Sequence, residues 1–406
     1  MIHVSYKNLT KVYYQNKDEY EDLYERRIKS ENTKMLNLKI NDNTAFYCLC
    51  PDIYDLSFKI MELDKRVQVI KASLPGVALN QFANKCLIDE IMLSNDIEGV
   101  YSTRKEIKII VDEHGEEHSK KDRRFYGLVT KYLMLGRNKI ELDSCEDIRK
   151  IYDELVLPEI IAEDAEKAPD GKIFRKDLAE VTTVTQKVIH KGLYPEDKII
   201  DYMDNSLKLL KDEDIPVLVR ISIFHYLFGY IHPFYDGNGR TSRFISSYLL
   251  AGFLDNLIGY RLSYTVKENI SEYYDAFKIC NDTKNKGDIT PFIITFLNII
   301  YKAFEKLYEA LYDRKTLLDQ TLKDIAKAEL FEDDEVLLLC SYLVQAALFS
   351  KDGISKSELS VLLDVSETTL RKRLSIIKQK GFLTEKRVGQ YKYFAFDVHR
   401  LNDDIN

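Results

Sequence analysis

Between positions 232 and 243 the chain reads His-Pro-Phe-Tyr-Asp-Gly-Asn-Gly-Arg-Thr-Ser-Arg, and these residue types at this spacing suit the handling of a polyphosphate. Pro233 stops a preceding helix, and Gly237-Asn238-Gly239 lets the backbone turn its N–H groups inward where the next helix begins. Amides converging on a helix N-terminus favour anions. Arg240 and Arg243, three residues apart on the first turn, add fork-shaped cations beside that nest. Asp236 is a hard oxygen ligand suited to Mg²⁺ bridging two phosphates. His232 can accept a proton near neutral pH.

Helices must hold such a loop. Upstream, Val217, Leu218, Ile221, Phe224, Leu227 and Phe228 make a segment apolar almost all round, which predicts a central buried helix opened by Asp214 and Pro216. Downstream, Phe244, Ile245, Tyr248 and Leu249 mark an amphipathic helix. His225, on the buried helix, matches no metal spacing and reads as a hydrogen-bonded core histidine. Further upstream, Leu87, Ile91, Ser94 and Glu98 fall on one face of a helix over about 80–97. That places a carboxylate on an apolar face, where it needs a cation or donor from another element. Val181–Ile189, rich in β-branched residues, predicts a short hairpin or flap and is the best strand candidate before residue 380.

The 232–243 string resembles the Fic family signature HxFx(D/E)GNGRxxR at every defined position. The resemblance implies that His232 is the general base for a Ser, Thr or Tyr hydroxyl, that Phe234 packs beneath the loop and that Asp236 holds Mg²⁺ or Mn²⁺. It implies that Gly237, Asn238 and Gly239 cradle the phosphates of ATP and that Arg240 and Arg243 bind the outer ones, with AMP passing to a protein or to the chain itself. Gly239 is intact, which favours AMP over phosphate as the transferred group. Ser94-x-x-x-Glu98-Gly99 is similar to the family's inhibitory motif, implying that Glu98 pairs with Arg243 and occupies the place of the γ-phosphate. Tyr274 and Asn281, seven apart on one helical face, resemble the family's adenine side. Thr183–His190 resembles the flap that aligns the target segment by strand pairing. The likeness covers about residues 80–300. Two other readings fit these residues: a DNA-binding regulator with a nucleotide-sensing core, and an enzyme in which Glu98 orients water to remove AMP.

Composition agrees with a folded, mainly α protein: 45% of residues are hydrophobic and 31% charged. No apolar run reaches membrane-spanning length, and six cysteines lack framework spacing, so a reducing, cytoplasmic setting without membrane contact is expected. His114-Gly-Glu-Glu-His118 fits an inverted zinc-protease string but lies in a charge-dense turn, and no zinc site follows from it. The net charge is −7, yet residues 351–396 hold ten Lys or Arg against five Asp or Glu. This basic segment reads as a winged helix-turn-helix: helices over Ser357–Leu363 and Thr368–Gln379, Ser366 as an N-cap, and an alternating Phe382–Phe396 wing turning at Gly389. Its cations suit DNA phosphates or a protein surface. The expected organisation is an N-terminal extension (1–75), a Fic-type helical core with a hairpin flap (76–302), a helical connector (303–335) and a small α+β winged-helix domain (336–406). A homo-oligomer is expected.

Overall fold

The structure, a computed structural model, describes residues 6–114, 123–136, 139–182 and 188–405. Helices α1 (Leu9–Gln15) and α2 (Lys17–Ile28) lead into a hairpin of β1 (Thr33–Ile40) and β2 (Asn43–Cys48). That hairpin is longer than the flap, so Val181–Ile189 is not the best strand before residue 380. Leu36, Leu38 and Ile40 alternate inward along β1, and Asn41 supplies the left-handed turn residue, φ 53°. Residues 6–48 lie against the chain near residue 288. The Phe46 N–H donates to the Gly287 carbonyl and the Ile289 N–H to the Phe46 carbonyl. Buried Asp288 accepts from Tyr6 Oη at 2.6 Å and pairs with Arg27 at 3.0 Å.

Next come α3 (Pro51–Ala72), α4 (Gly76–Ile97), α5 (Arg104–Asp112), α6 (Tyr126–Leu133), α7 (Cys145–Leu155) and α8 (Leu157–Glu163). Reciprocal capping boxes, Thr103 with Glu106 and Ser144 with Asp147, start α5 and α7. Helix α4 begins at Gly76, earlier than periodicity places it, and ends with Glu98 as C-cap; Gly99, at φ 72°, takes the left-handed conformation that terminates the helix. Strands β3 (Glu180–Thr182) and β4 (Val188–Lys191) pair antiparallel as the expected hairpin; its tip, residues 183–187, lies outside the described residues, as does 115–122 of the charge-dense turn.

Helices α9 (Glu196–Lys211), α10 (Val217–Ile231), α11 (Asn238–Phe253), α12 (Leu262–Glu268) and α13 (Ile270–Asn281) complete the core. Helix α10 is buried almost all round, as its composition predicts. Pro216 is its N-cap residue, but Asp214 does not cap it: the Asp214 N–H donates to Asp212 Oδ1, closing a turn before the helix. Helix α14 (Thr290–Lys327) runs unbroken for 38 residues, so the predicted connector is the second half of a core helix, with no break at Ala303. At 1.5 Å per residue it is about 57 Å long; its first half packs along α3, α10 and α13.

The tail holds α15 (Asp334–Phe349), β5 (Ile354–Ser355), α16 (Lys356–Leu363), α17 (Glu367–Gln379), β6 (Leu383–Val388), β7 (Tyr391–Phe396) and α18 (Val398–Ile405), with sheet order β5-β7-β6. Ser366 caps α17 through the Thr369 N–H. The tail packs on the core. The Ala78 N–H of α4 donates to Gln345 Oε1 of α15 at 3.1 Å, Gln81 Nε2 to Glu358 Oε1 at 2.8 Å, and the Phe82 and Phe349 rings meet edge to face. The β6–β7 hairpin leans on α5: Tyr393 Oη bonds Asp112, Tyr391 Oη bonds Glu113, and Lys108 sits over the Tyr393 ring. Among the described residues no helix is long and apolar enough to cross a membrane, and all six cysteines are free thiols.

Candidate active site

Helix α10 ends at His232, whose left-handed backbone (φ 51°, ψ 64°) turns the chain out of the helix before Pro233. Phe234 is fully buried, stacked on Tyr152 at 3.6 Å and edge-on to Phe174, which anchors the loop from below. Asn238 then closes it. Its Oδ1 accepts from the Phe234 N–H at 2.9 Å and its Nδ2 donates to the Phe234 carbonyl at 2.8 Å. The Asn238 side chain thus folds the loop, and only the start of α11 is left to face an anion. Gly237, at φ 75°, is the left-handed N-cap of α11, and a Cβ there would press on Val156 and Ile160. The first-turn amides of α11 have no acceptor within the helix.

The start of α11 borders a cleft of about 120 Å³ lined by Glu98, His190, Gly229, His232, Asn238, Gly239, Ser242, Arg243, Tyr273, Tyr274, Phe277, Lys278 and Asn281. Arg243 is the buried cation of its wall. NH1 lies 2.8 Å from Glu98 Oε1, Nε donates to Ser94 Oγ at 3.2 Å and NH2 to the Ser94 carbonyl at 2.8 Å. Ser94 and Glu98, one helical turn apart, therefore grip one guanidinium, as the motif predicts. Gly239 makes room for this: a Cβ there would stand 2.0 Å from Glu98 Oε1. Burial, aided by nearby His190 and Arg175 and opposed by Asp236, pulls the His232 imidazole down to about 3, leaving it neutral with a free lone pair at physiological pH.

The structure departs from the sequence reading at Arg240. Its side chain points away from the cleft into a buried ion pair with Glu159 of α8, NH1 to Oε2 at 2.8 Å, with the two side chains 2% and 7% exposed. From the first turn of α11 it faces α8, while Arg243, a turn later, faces α4, so of these two arginines Arg243 alone lines the cleft. Removing one partner of such a pair strands a buried charge. Glu159→Ala is therefore expected to cost roughly 3–5 kcal/mol, read as a lower urea midpoint; an unchanged midpoint would refute the structural role.

Asp236, two residues before the cleft-lining Asn238, is half-exposed, with its Oδ1 accepting from the Gly237 N–H at 2.6 Å and its Oδ2 3.0 Å from Lys167 Nζ. One carboxylate beside a phosphate nest fits Mg²⁺, which typically takes one or two protein carboxylates and completes its shell with phosphate and water. In this structure the Lys167 ammonium takes up Oδ2, which a metal ion would have to share or displace. Tyr274 lines the cleft at 39% exposure. Asn281 also lines it, with its Oδ1 bound by Tyr226 Oη at 2.8 Å. His225 is the expected core histidine, held between Ser246 Oγ and Tyr273 Oη at 2.7 Å each. Phe277, Lys278 and Glu159 escaped the sequence reading, and His190 entered it only as the end of the flap; Gly229, whose Cβ would strike the Phe277 ring at 2.6 Å, left a local trace. In the tail, Arg373, Lys378 and Lys380 of the α17 region are engaged by Glu335, Glu385 and the Leu330 carbonyl.

With the helical core, the hairpin and the His-to-Arg loop at a helix N-terminus in place, residues 142–250 match the Fic/DOC family model. Two curated relatives, each named protein adenylyltransferase Fic, from Drosophila grimshawi and Drosophila melanogaster, are 40% identical over 72 residues, which is 18% of this chain and 13% of each relative. The chain thus matches about an eighth of those proteins' length. A Fic family protein from Desulfovibrio desulfuricans G20 has a crystal structure with a TM-score of 0.53 to this one at 20% identity, covering 86% of this chain and 97% of that one. This likeness extends the shared fold over most of the chain.

Proposed function

We propose that the chain transfers AMP from ATP to a hydroxyl of a protein, or to itself, and that Glu98 restrains it. The observation that carries this reading is the placement of His232, the α11 amides and Arg243 around one cleft, with Glu98 on Arg243. His232 takes the proton of the incoming alcohol, whose oxygen bonds to the α-phosphorus as the bond to the bridging oxygen breaks and pyrophosphate leaves. The α11 amides and Arg243 hold the phosphates, and Tyr274 and Asn281 face the base. Mg²⁺ or Mn²⁺, held by Asp236, supplies neutralisation of phosphate charge. Arg240 supports the loop through its pair with Glu159. The name of the two relatives, protein adenylyltransferase Fic, supports this reading.

Incubating the chain with ATP and Mg²⁺ and weighing it is the direct test. Gain of one AMP per acceptor is expected; a gain of phosphate alone, or no gain in the chain or in added protein under any restraint-free variant, would refute it. Removal of AMP is the second reading, favoured by one detail: only Oε1 of Glu98 is bound to Arg243, which leaves the other oxygen to orient water. DNA as a partner is weaker, because much of the α17 charge is internally paired.

A further inference from the structure

Arg175 is fully buried, yet among the described residues its guanidinium meets no carboxylate. It donates instead to three backbone carbonyls: Nε to His232 at 2.9 Å, NH2 to Leu193 at 2.9 Å, and NH1 to Asp177. A buried cation is tolerated only when strong acceptors take up its protons, and here the acceptors come from three places that must stay together. Asp177 precedes β3, Leu193 follows β4, and His232 ends α10. The backbone repeats the pattern: the Arg175 N–H donates to the Pro233 carbonyl, the Gly192 N–H to Ala179 and the Leu193 N–H to Ile231. Gly192 is packed so closely that a Cβ would stand 2.3 Å from Arg175 NH2 and 3.0 Å from His232 Cβ. His232 holds a left-handed backbone unfavourable to a side-chain-bearing residue, so its carbonyl needs an outside partner to fix its direction.

We infer that Arg175 is a positioning residue that ties both roots of the β3–β4 hairpin to the backbone of His232, so that base and hairpin keep one fixed relation. The inference rests on the functional reading only for what the tie is used for: presenting an acceptor hydroxyl to His232. The partners of Arg175 include none of Arg243, Tyr274 or Asn281, so the tie acts on acceptor alignment and leaves nucleotide binding alone.

The test uses the full chain carrying Arg175→Met or Arg175→Lys, with Gly192→Ala as a gentler way to push the guanidinium aside should the first not fold. Amide hydrogen exchange at Gly192 and Leu193 is expected to quicken about tenfold or more in Arg175→Met, and less in Arg175→Lys. Affinity for Mg²⁺–ADP should stay within about twofold, while AMP transfer in a Glu98→Gly background falls in kcat by roughly 100-fold, as a misplacement of about 1 Å can cost. Unchanged exchange in both Arg175→Met and Gly192→Ala would overturn the tie, as would loss of ADP affinity in step with kcat, the mark of a general structural role. Exchange is read without turnover, so a Glu98→Gly parent that transferred nothing would sink the functional reading and still leave the tie decided.

Discussion

Glu98→Gly is expected to transfer AMP from labelled ATP roughly 5- to 150-fold faster than the parent chain, the range spanned by a coupling of about 1–3 kcal/mol. Arg243 is almost fully buried and already carries three contacts from α4, one of them the 2.8 Å pair with Glu98. On the proposed function a terminal phosphate takes that carboxylate's place at NH1. Substitution removes the competitor at small structural cost, because Glu98 is the C-cap of α4, its side chain is 23% exposed, and the turn beyond is made by Gly99. Ser94 keeps its two bonds and holds Arg243 in the cleft wall, so thermal stability should fall by less than in Glu159→Ala. Equal rates for mutant and parent in an autoradiographic assay would defeat the restraint.

In that released background, His232→Ala is expected to lower transfer by roughly 10²- to 10⁴-fold, the span of general acid–base catalysis, while Mg²⁺–ADP affinity is retained. The phosphate side of the cleft does not depend on the imidazole. The backbone does depend on position 232, because its left-handed conformation disfavours alanine. His232→Asn is the cleaner partner: asparagine tolerates that conformation and cannot act as the base. Both variants should lose transfer alike, and activity within about tenfold of the parent in His232→Asn would remove His232 from the chemistry.

What could be read from the sequence was chemistry compressed into one stretch or one helical turn. The loop from His232 to Arg243 has its residue types side by side, and the pairing of Glu98 with Arg243 followed from a carboxylate on a buried helix face that lacked a partner. The two successive helices α16 and α17 and the hairpin of the tail were legible from a break at Asp364–Ser366 and alternation after Phe382. Arg240 was misplaced because helical phase relative to α8 decides which arginine faces the cleft, and its partner Glu159 is 81 residues away. Arg175 was invisible for a related reason: three carbonyl acceptors carry no side-chain signature. The β1–β2 hairpin was missed although Leu36, Leu38 and Ile40 alternate, since one short run beside many charged residues resembles surface chain until Gly287 and Ile289 bond to it.

The tail is built as a buttress. Its α15 covers Ala78 and Phe82 near the start of the same helix whose far end bears Glu98, and its hairpin braces α5 just beyond. Trimming the chain after α14 would therefore not yield an unaltered helical core. It would strip apolar surface bare along α4 and loosen the footing of the carboxylate that holds Arg243, so a shortened protein would differ in solubility and in idle turnover together.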